Sequence, residues 1–321
     1  MSGLRRRFTR AVRAVESRLT GLSIAEFSEW SRVLDDALAQ LPELSSCTHD
    51  VYRTLAVPRG DVRKKFVLVT RGDTPAAVVA LRSGRDCWEP VTTWIVPGIP
   101  FPHAGVAVRD ILHAIALPLT VAWWRCSAPP PASRRIVAGP PEPTYRLPAA
   151  FDAEAHWRAS SLWADIEKAR RRCAAFRVVT DEPGANAWVI RNWGRAWNVA
   201  PPHVEDTLAA AELRTTLGTY HNLTVYDGDR RIAGATHLTD GGDLVGQAMY
   251  RDADYERASL GTFVIDRVFA WCVAQRFSGL DFGGSAAYKE RWAPAGGQKY
   301  TVNVMPLSER VARRAGVSFT D

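Results

Sequence analysis

The residues best equipped for chemistry lie in the last third of this 321-residue chain. They are His237, Tyr250, the run Ser259-Leu260-Gly261-Thr262 and the run Tyr288-Lys289-Glu290-Arg291-Trp292. An imidazole titrates near neutrality, so His237 can take a proton from a nucleophile. Lys289 can stabilise developing negative charge or grip a phosphate, and the Tyr288 phenol can protonate a leaving group. Ser259 suits a helix N-cap, and Gly261 lets a ligand approach the backbone. The free N–H groups and dipole of a helix opening there attract anions. Each feature also has a plainer reading: a surface lysine, an ordinary capped helix, a histidine beside a packed helix.

The elements that must position these groups follow from pattern. Residues 223–226 and 232–239 are β-branched and aromatic or small, with Asp227-Gly228-Asp229 as the turn between them. Gly241-Gly242 suits a two-residue hairpin into a strand over 244–250, because both residues accept φ > 0. That register pairs Thr239 with Leu244 and His237 with Gly246. Strict alternation then gathers Ala233, Ala235, His237, Gly246, Ala248 and Tyr250 on one face, with room for a ligand or a close-packed helix. Val264, Ile265, Val268, Phe269 and Cys272 form a helical stripe, Gly279 ends the helix, and Leu280-Asp281-Phe282 is a short strand. Strand, helix and strand make a crossover whose helix opens at the carboxyl end of the first strand. Around Tyr250 and Asp281 the strands are expected to splay and expose backbone donors.

This ordered set resembles the C-terminal half of GNAT acyltransferases, and more closely their branch related to the cellulose-biosynthesis protein CelD. The shared features are Tyr250, Ser259-Leu260-Gly261, Asp281-Phe282 and Tyr288-Lys289 followed by Trp292, over the span Leu162 to Trp292. His237 falls where that branch often carries a histidine. Leu260 stands where the branch has proline, and the usual pyrophosphate loop is reduced to Gly261. The resemblance implies an α/β fold of tandem GNAT-like units, each a mixed, mostly antiparallel sheet flanked by helices. It implies an acyl-CoA, such as acetyl-CoA, bound by Tyr250, Ser259, Leu260, Gly261 and Thr262. Catalysis would fall to Lys289, Tyr288 and His237, with Trp193, Asp281 and Trp292 on the substrate and no metal. The acceptor would be the amine or hydroxyl of a small molecule, a sugar or an envelope precursor. Fem-like transfer from aminoacyl-tRNA, or a non-catalytic binding protein of the same fold, are the alternatives.

The rest of the chain is read around that unit. A shift of 156 residues (228 − 72) superposes Gly72-Asp73 on Gly228-Asp229, Ala77 on Ala233 and Gly105 on Gly261, which argues for an internal duplication. Leu81 takes the place of His237 in the first copy. The expected division is a basic N-terminal helix (1–20), a degenerate first unit (21–128), a proline-rich linker (129–150) and an acyltransferase unit (151–321). Residues 24–40 read as a helix, as do 155–176, 185–199 and 204–217. Lys168, Arg170, Arg171 and Arg172 could attract a phosphate-bearing donor or form a solvated face. Trp188, Trp193 and Trp197 suit a core or a substrate cleft.

Six arginines against Glu16 give residues 1–19 five of the net +7 charges. That stretch could contact anionic lipid or nucleic acid, or pack on its own domain. A tRNA donor would be its nucleic-acid partner. Five scattered cysteines without metal spacing fit reduced thiols and a cytoplasmic location. No apolar run is long enough to span a membrane, and no P-loop or dinucleotide fingerprint occurs.

Overall fold

The computed structural model describes residues 19–305 except 45–46, 58, 60–61, 85–86, 93–100, 116, 118, 127–132, 134 and 285. Residues 1–18, which carry all six arginines of the expected basic helix, lie outside them. The chain forms two compact units, one of residues 1–141 with 299–321 and one of residues 142–298.

The first unit runs β1 (Ser23–Phe27), α1 (Arg32–Leu38), α2 (His49–Ala56), β2 (Lys64–Arg71), β3 (Thr74–Ser83), β4 (Trp88–Pro90), α3 (Val108–Ile115), β5 (Leu119–Cys126) and β6 (Ile136–Ala138). Strands β1 to β4 are joined in antiparallel ladders, and β5 lies parallel to β4. The stretch 24–40 is therefore a strand and a helix, not one helix. Residues 23–27 are held by the backbone edge of β2, a tertiary pairing that local propensity does not encode.

The second unit runs β7 (Glu142–Pro148), α4 (Ala153–Arg158), α5 (Leu162–Arg172), β8 (Arg177–Thr180), α6 (Ala185–Ala196), α7 (Pro201–Thr216), β9 (Tyr220–Asp227), β10 (Arg230–Asp240), β11 (Asp243–Arg251), α8 (Leu260–Ala274), β12 (Gly279–Asp281) and α9 (Ala287–Glu290). A last strand, β13 (Ala295–Val304), begins in the second unit and ends in the first. The second sheet has the order β8-β9-β10-β11-β12-β7, antiparallel except for β11–β12. One face packs Leu223, Val225, Ala233 and Ala235 against Ile166 of α5 and Val264 and Val268 of α8. The other packs Tyr220, Leu238 and Ala248 against Val189 and Ile190 of α6 and Ala211 of α7.

The expected linker holds two strands. Ile136–Ala138 pairs with Val302–Val304, and β7 pairs with β12. Proline is tolerated at strand starts and ends, so Pro143 and Pro148 mark the limits of β7 and not a break in the fold. The expected helix 155–176 is two helices, with Ser160 between them, followed by β8.

The duplication is visible in the backbone. Strands β1 to β5 and strands β8 to β12 both run antiparallel, antiparallel, antiparallel, parallel. Gly72 and Gly228 share φ 57 in the two hairpin turns. Each hairpin also carries a bulge. Val69 pairs with Ala77 and Thr70 with Pro75, leaving Ala76 over. Val225 pairs with Ala233 and Tyr226 with Arg231, leaving Ile232 over. The two extra residues are again 156 apart (232 − 76).

Candidate active site

The site is built where β11 and β12 part. Their parallel ladder covers Asp243–Gly279, Leu244–Leu280 and Val245–Asp281 and stops there. Beyond it, β11 continues to Arg251 beside β10, while the Phe282 N–H donates to the Tyr145 carbonyl of β7 (2.9 Å). The parallel strands share a direction, so the carboxyl end of β11, the start of α8 and the loop from Asp281 to α9 all lie on one side of the sheet. Ligands of open α/β sheets bind on that side.

On the β11 side, Tyr250 meets Trp188 of α6 edge-to-face, with ring centroids 5.4 Å apart. Desolvation raises the Tyr250 phenol above its ordinary pKa, Asp252 adds to the rise, and Arg195 opposes it. The chain then passes through a short 3₁₀ turn (Ala253–Ala258) into α8. Arg230 holds that turn by bonds to Asp252 (2.5 Å) and Asp254 (3.0 Å). Ser259 sits in the left-handed region (φ 61, ψ 40) and its side chain caps nothing. It stands at the N-cap position that its residue type suggested, and its carbonyl accepts the Phe263 N–H (3.1 Å), but it gives the helix no side-chain cap. The Leu260 side chain is 1% exposed and belongs to the core, so only its backbone is available to a ligand. Gly261 and Thr262 are half-buried.

Two arginine side chains reach this helix start, and a third arginine lies two residues before it in the chain. A Cβ placed on Gly261 would lie 3.6 Å from Cδ of Arg251, so the Arg251 side chain passes over the first turn. Arg172 of α5 donates to the carbonyl of Arg257, two residues before Ser259. Arg251, Arg172 and Arg257 are all exposed. Arg170 is committed elsewhere. With Arg267 it neutralises the buried Asp266, through bonds of 3.0 and 2.6 Å.

On the β12 side, Asp281 is 8% exposed and its Oδ1 accepts the Gly283 N–H (2.7 Å). Gly283 has φ 75, which a side chain would disfavour. Lys289 donates through Nζ to the carbonyls of Phe282 (2.6 Å) and Gly284 (2.8 Å). Tyr288 is 44% exposed, and desolvation by its surroundings still raises the phenol pKa.

Two expected members are elsewhere. His237 and Tyr250 do not share a face. The register is as expected at Thr239–Leu244 and His237–Gly246, but Thr236 pairs with Ala248, so Gln247 is an extra residue in β11. That bulge reverses the alternation. Tyr250 therefore pairs across from Gly234 and faces Trp188. His237 continues the face of Ala233 and Ala235, opposite His221 of β9. It is 5% exposed, and burial followed by repulsion from His221 lowers its pKa to about 3. Trp292 is 3% exposed. Its ring lies 5.3 Å from that of Trp157, and its carbonyl accepts the Trp157 Nε1–H (2.9 Å), so it is core and lines no cleft. Trp193 is half-buried against the α6 side of the sheet, while Trp197 is 71% exposed.

Arg251, Arg195 and Trp188 were not singled out as site residues from the sequence. Only Trp188 had a signal, its place in the tryptophan series. The other two depend on the β11 bulge and on how α6 lies against it. Among the described residues no cluster of His, Cys, Asp and Glu could hold a metal, and no helix is long and apolar enough to cross a membrane.

Comparison with known proteins bears on the fold that carries this site. Residues 160–291 match the acetyltransferase (GNAT) domain family. No curated protein matches the chain. The chain is similar in structure to the C-terminal domain of a putative lysylphosphatidylglycerol synthetase from Agrobacterium fabrum (TM-score 0.50, 13% identity, 88% of this chain and 95% of that one). It is also similar to a conserved protein of unknown function from Bacteroides thetaiotaomicron (0.51, 9%, 88% and 100%). A third similar structure is L-PGS from Bacillus licheniformis (0.50, 11%, 87% and 92%). At these identities the likeness concerns the fold. The chain is thus built of tandem GNAT-fold units, and the second of them carries the match to the GNAT acetyltransferase domain.

Proposed function

We propose that the second unit is an acyltransferase. It would take an acyl-CoA, such as acetyl-CoA, in the opening between β11 and β12 and pass the acyl group to an amine or hydroxyl. The acceptor would be a small molecule, a sugar or an envelope precursor, in keeping with the CelD-like resemblance. The observation that carries this reading is the start of α8. Its first turn follows the carboxyl end of β11, the Arg251 side chain passes Gly261 in that turn, and Arg172 reaches the Arg257 carbonyl just before it. A helix N-terminus with guanidinium groups suits the phosphates of such a donor. The arginines supply charge that the shortened glycine loop lacks.

In the reaction the acceptor attacks the thioester carbonyl carbon, the C–S bond breaks, the departing thiolate takes a proton, and the proton that the acceptor sheds passes to solvent, from which the proton donor is restored. Tyr288 is the donor we assign, because its phenol stays protonated near neutral pH. Tyr250 with Trp188 supplies an aromatic wall at the carboxyl end of β11. His237 is left out of the proton path, because it is buried on the α8 side of the sheet.

Titration calorimetry with CoA and acetyl-CoA tests the donor. The wild type is expected to bind both. Arg251→Ala should weaken binding about tenfold, roughly the loss of one charge-assisted contact, at an unchanged melting temperature. No binding of either compound, with binding of aminoacyl-tRNA, would move the assignment to a Fem-like transferase. Binding of neither donor would leave a non-catalytic module.

A further inference from the structure

Lys289 looks from the sequence like a group offered to a substrate. Its ammonium is instead occupied at close range by the carbonyls of Phe282 and Gly284, seven and five residues earlier in the chain. From the same loop the Gly283 N–H turns the other way, onto the buried carboxylate of Asp281 (2.7 Å). Lysine and aspartate thus hold alternate backbone groups of one short loop, one taking the carbonyls and the other the amide. Gly283, with φ 75, allows the reversal. The loop begins where the β11–β12 ladder ends and leads into α9. The Lys289 Nζ also lies 5.8 Å from the centre of the Tyr288 ring.

We propose that Lys289 is a positioning residue, whose ammonium ties the start of α9 back to the end of β12 and so fixes Tyr288 at the mouth of the strand opening. It touches neither donor nor acceptor. An ammonium suits the task because one nitrogen presents three donors and can serve two carbonyls at once. Charge-assisted bonds of this kind are about twice as strong as neutral ones. The planar guanidinium of arginine presents the wrong shape for two carbonyls converging on one atom. The assignment of Tyr288 as proton donor rests on the acyltransferase reading, whereas the clamp does not.

The test uses the full chain and the variant Lys289→Met, with Tyr288→Phe and the double variant as references. Amide exchange over 282–288 is expected to quicken at least tenfold in Lys289→Met, with exchange elsewhere unchanged. Difference titration of the Tyr288 phenol, read against the paired Phe variants, should show its pKa falling toward the ordinary tyrosine value as the ring loses its fixed surroundings. A lysine that only adds stability would speed exchange without moving that titration, and this result would overturn the proposal, as would unchanged exchange. If Lys289→Met does not fold, Lys289→Arg carries the same two readouts. It is expected to quicken exchange despite keeping the charge, and wild-type values for both measurements would overturn the proposal. Neither measurement needs a donor, so failure to bind acetyl-CoA would count against the acyltransferase reading alone.

Discussion

At the scale of single residues, His237 shows how burial changes what a side chain can do. Its Nδ1 is buried without a hydrogen-bond partner. The ring faces His221, whose own Nδ1 is held by Asp181 (3.1 Å) and whose ring packs on Trp271 and Phe277. Burial and His221 together move its pKa from 6.5 to about 3, against the opposing pull of Asp181. Above pH 6.5 the imidazole is neutral in both the folded and the unfolded chain, so it adds no pH dependence. Between 6.5 and about 3 the unfolded chain binds a proton that the native chain does not, and stability falls as the pH falls. His237→Leu is expected to flatten this decline and to leave stability at pH 7.5 within about 1 kcal/mol, since the atom lost had no partner. Urea midpoints of both proteins at pH 7.5 and 4.5 decide it; parallel declines would show that the titration lies elsewhere. The pairing of this histidine with Gly246 was legible in the sequence. Its face was not. One extra residue at Gln247 reverses the alternation on which a strand reading depends, and nothing about Gln247 as a residue type announces it.

Among elements, the hairpins were the most legible. Gly241 and Gly242 have φ 57 and 89, as a two-residue turn of that type requires. Helices α6 and α7 also match their expected spans closely, because Pro201 and the tryptophan spacing mark them in the chain. β1, β6 and β7 were missed for one shared reason: each is held by a partner distant in sequence and carries little alternation of its own. The close approach of α6 to the sheet was equally invisible. It rests on Gly234, where an added Cβ would lie 2.7 Å from Cγ2 of Val189 and 3.0 Å from the carbonyl of Leu223. One of those neighbours is backbone and cannot swing away. Gly234→Ala is therefore expected to cost about 1–3 kcal/mol, the usual range for overpacking, and to lower the melting temperature by several degrees. Gly261→Ala is the control, since its new methyl would meet only Arg251 at an ordinary 3.6 Å. Equal melting temperatures for the two variants would mean that α6 shifts freely on the sheet.

For the whole molecule, the 156-residue repeat was legible as a register of glycines and is now a register of bulges as well. The division after Pro141 falls inside the stretch 129–150 that composition marked as a linker, but the strands built by that stretch and the return of the chain to the first unit from Lys299 were not legible. The first unit is completed only by residues from beyond the second: Val302–Val304 pairs with β6, and Asn303 accepts a hydrogen bond from Thr120 of β5 (2.9 Å). A fragment of residues 142–298 is accordingly expected to fold alone. A fragment ending at 141 should show weak, non-cooperative melting by circular dichroism, and a sharp transition there would contradict this account. The same return of the chain has a temporal side. A ribosome releases residues in order, so the second unit has all its strands while the first still waits for one. The part carrying the candidate site can settle first, and the part that begins emerging before it must finish last. For that interval β6 has no partner and β5, paired with β4 on one side, has its other edge open, the state most open to mispairing. The cell's folding machinery would meet this protein by the half that was made first.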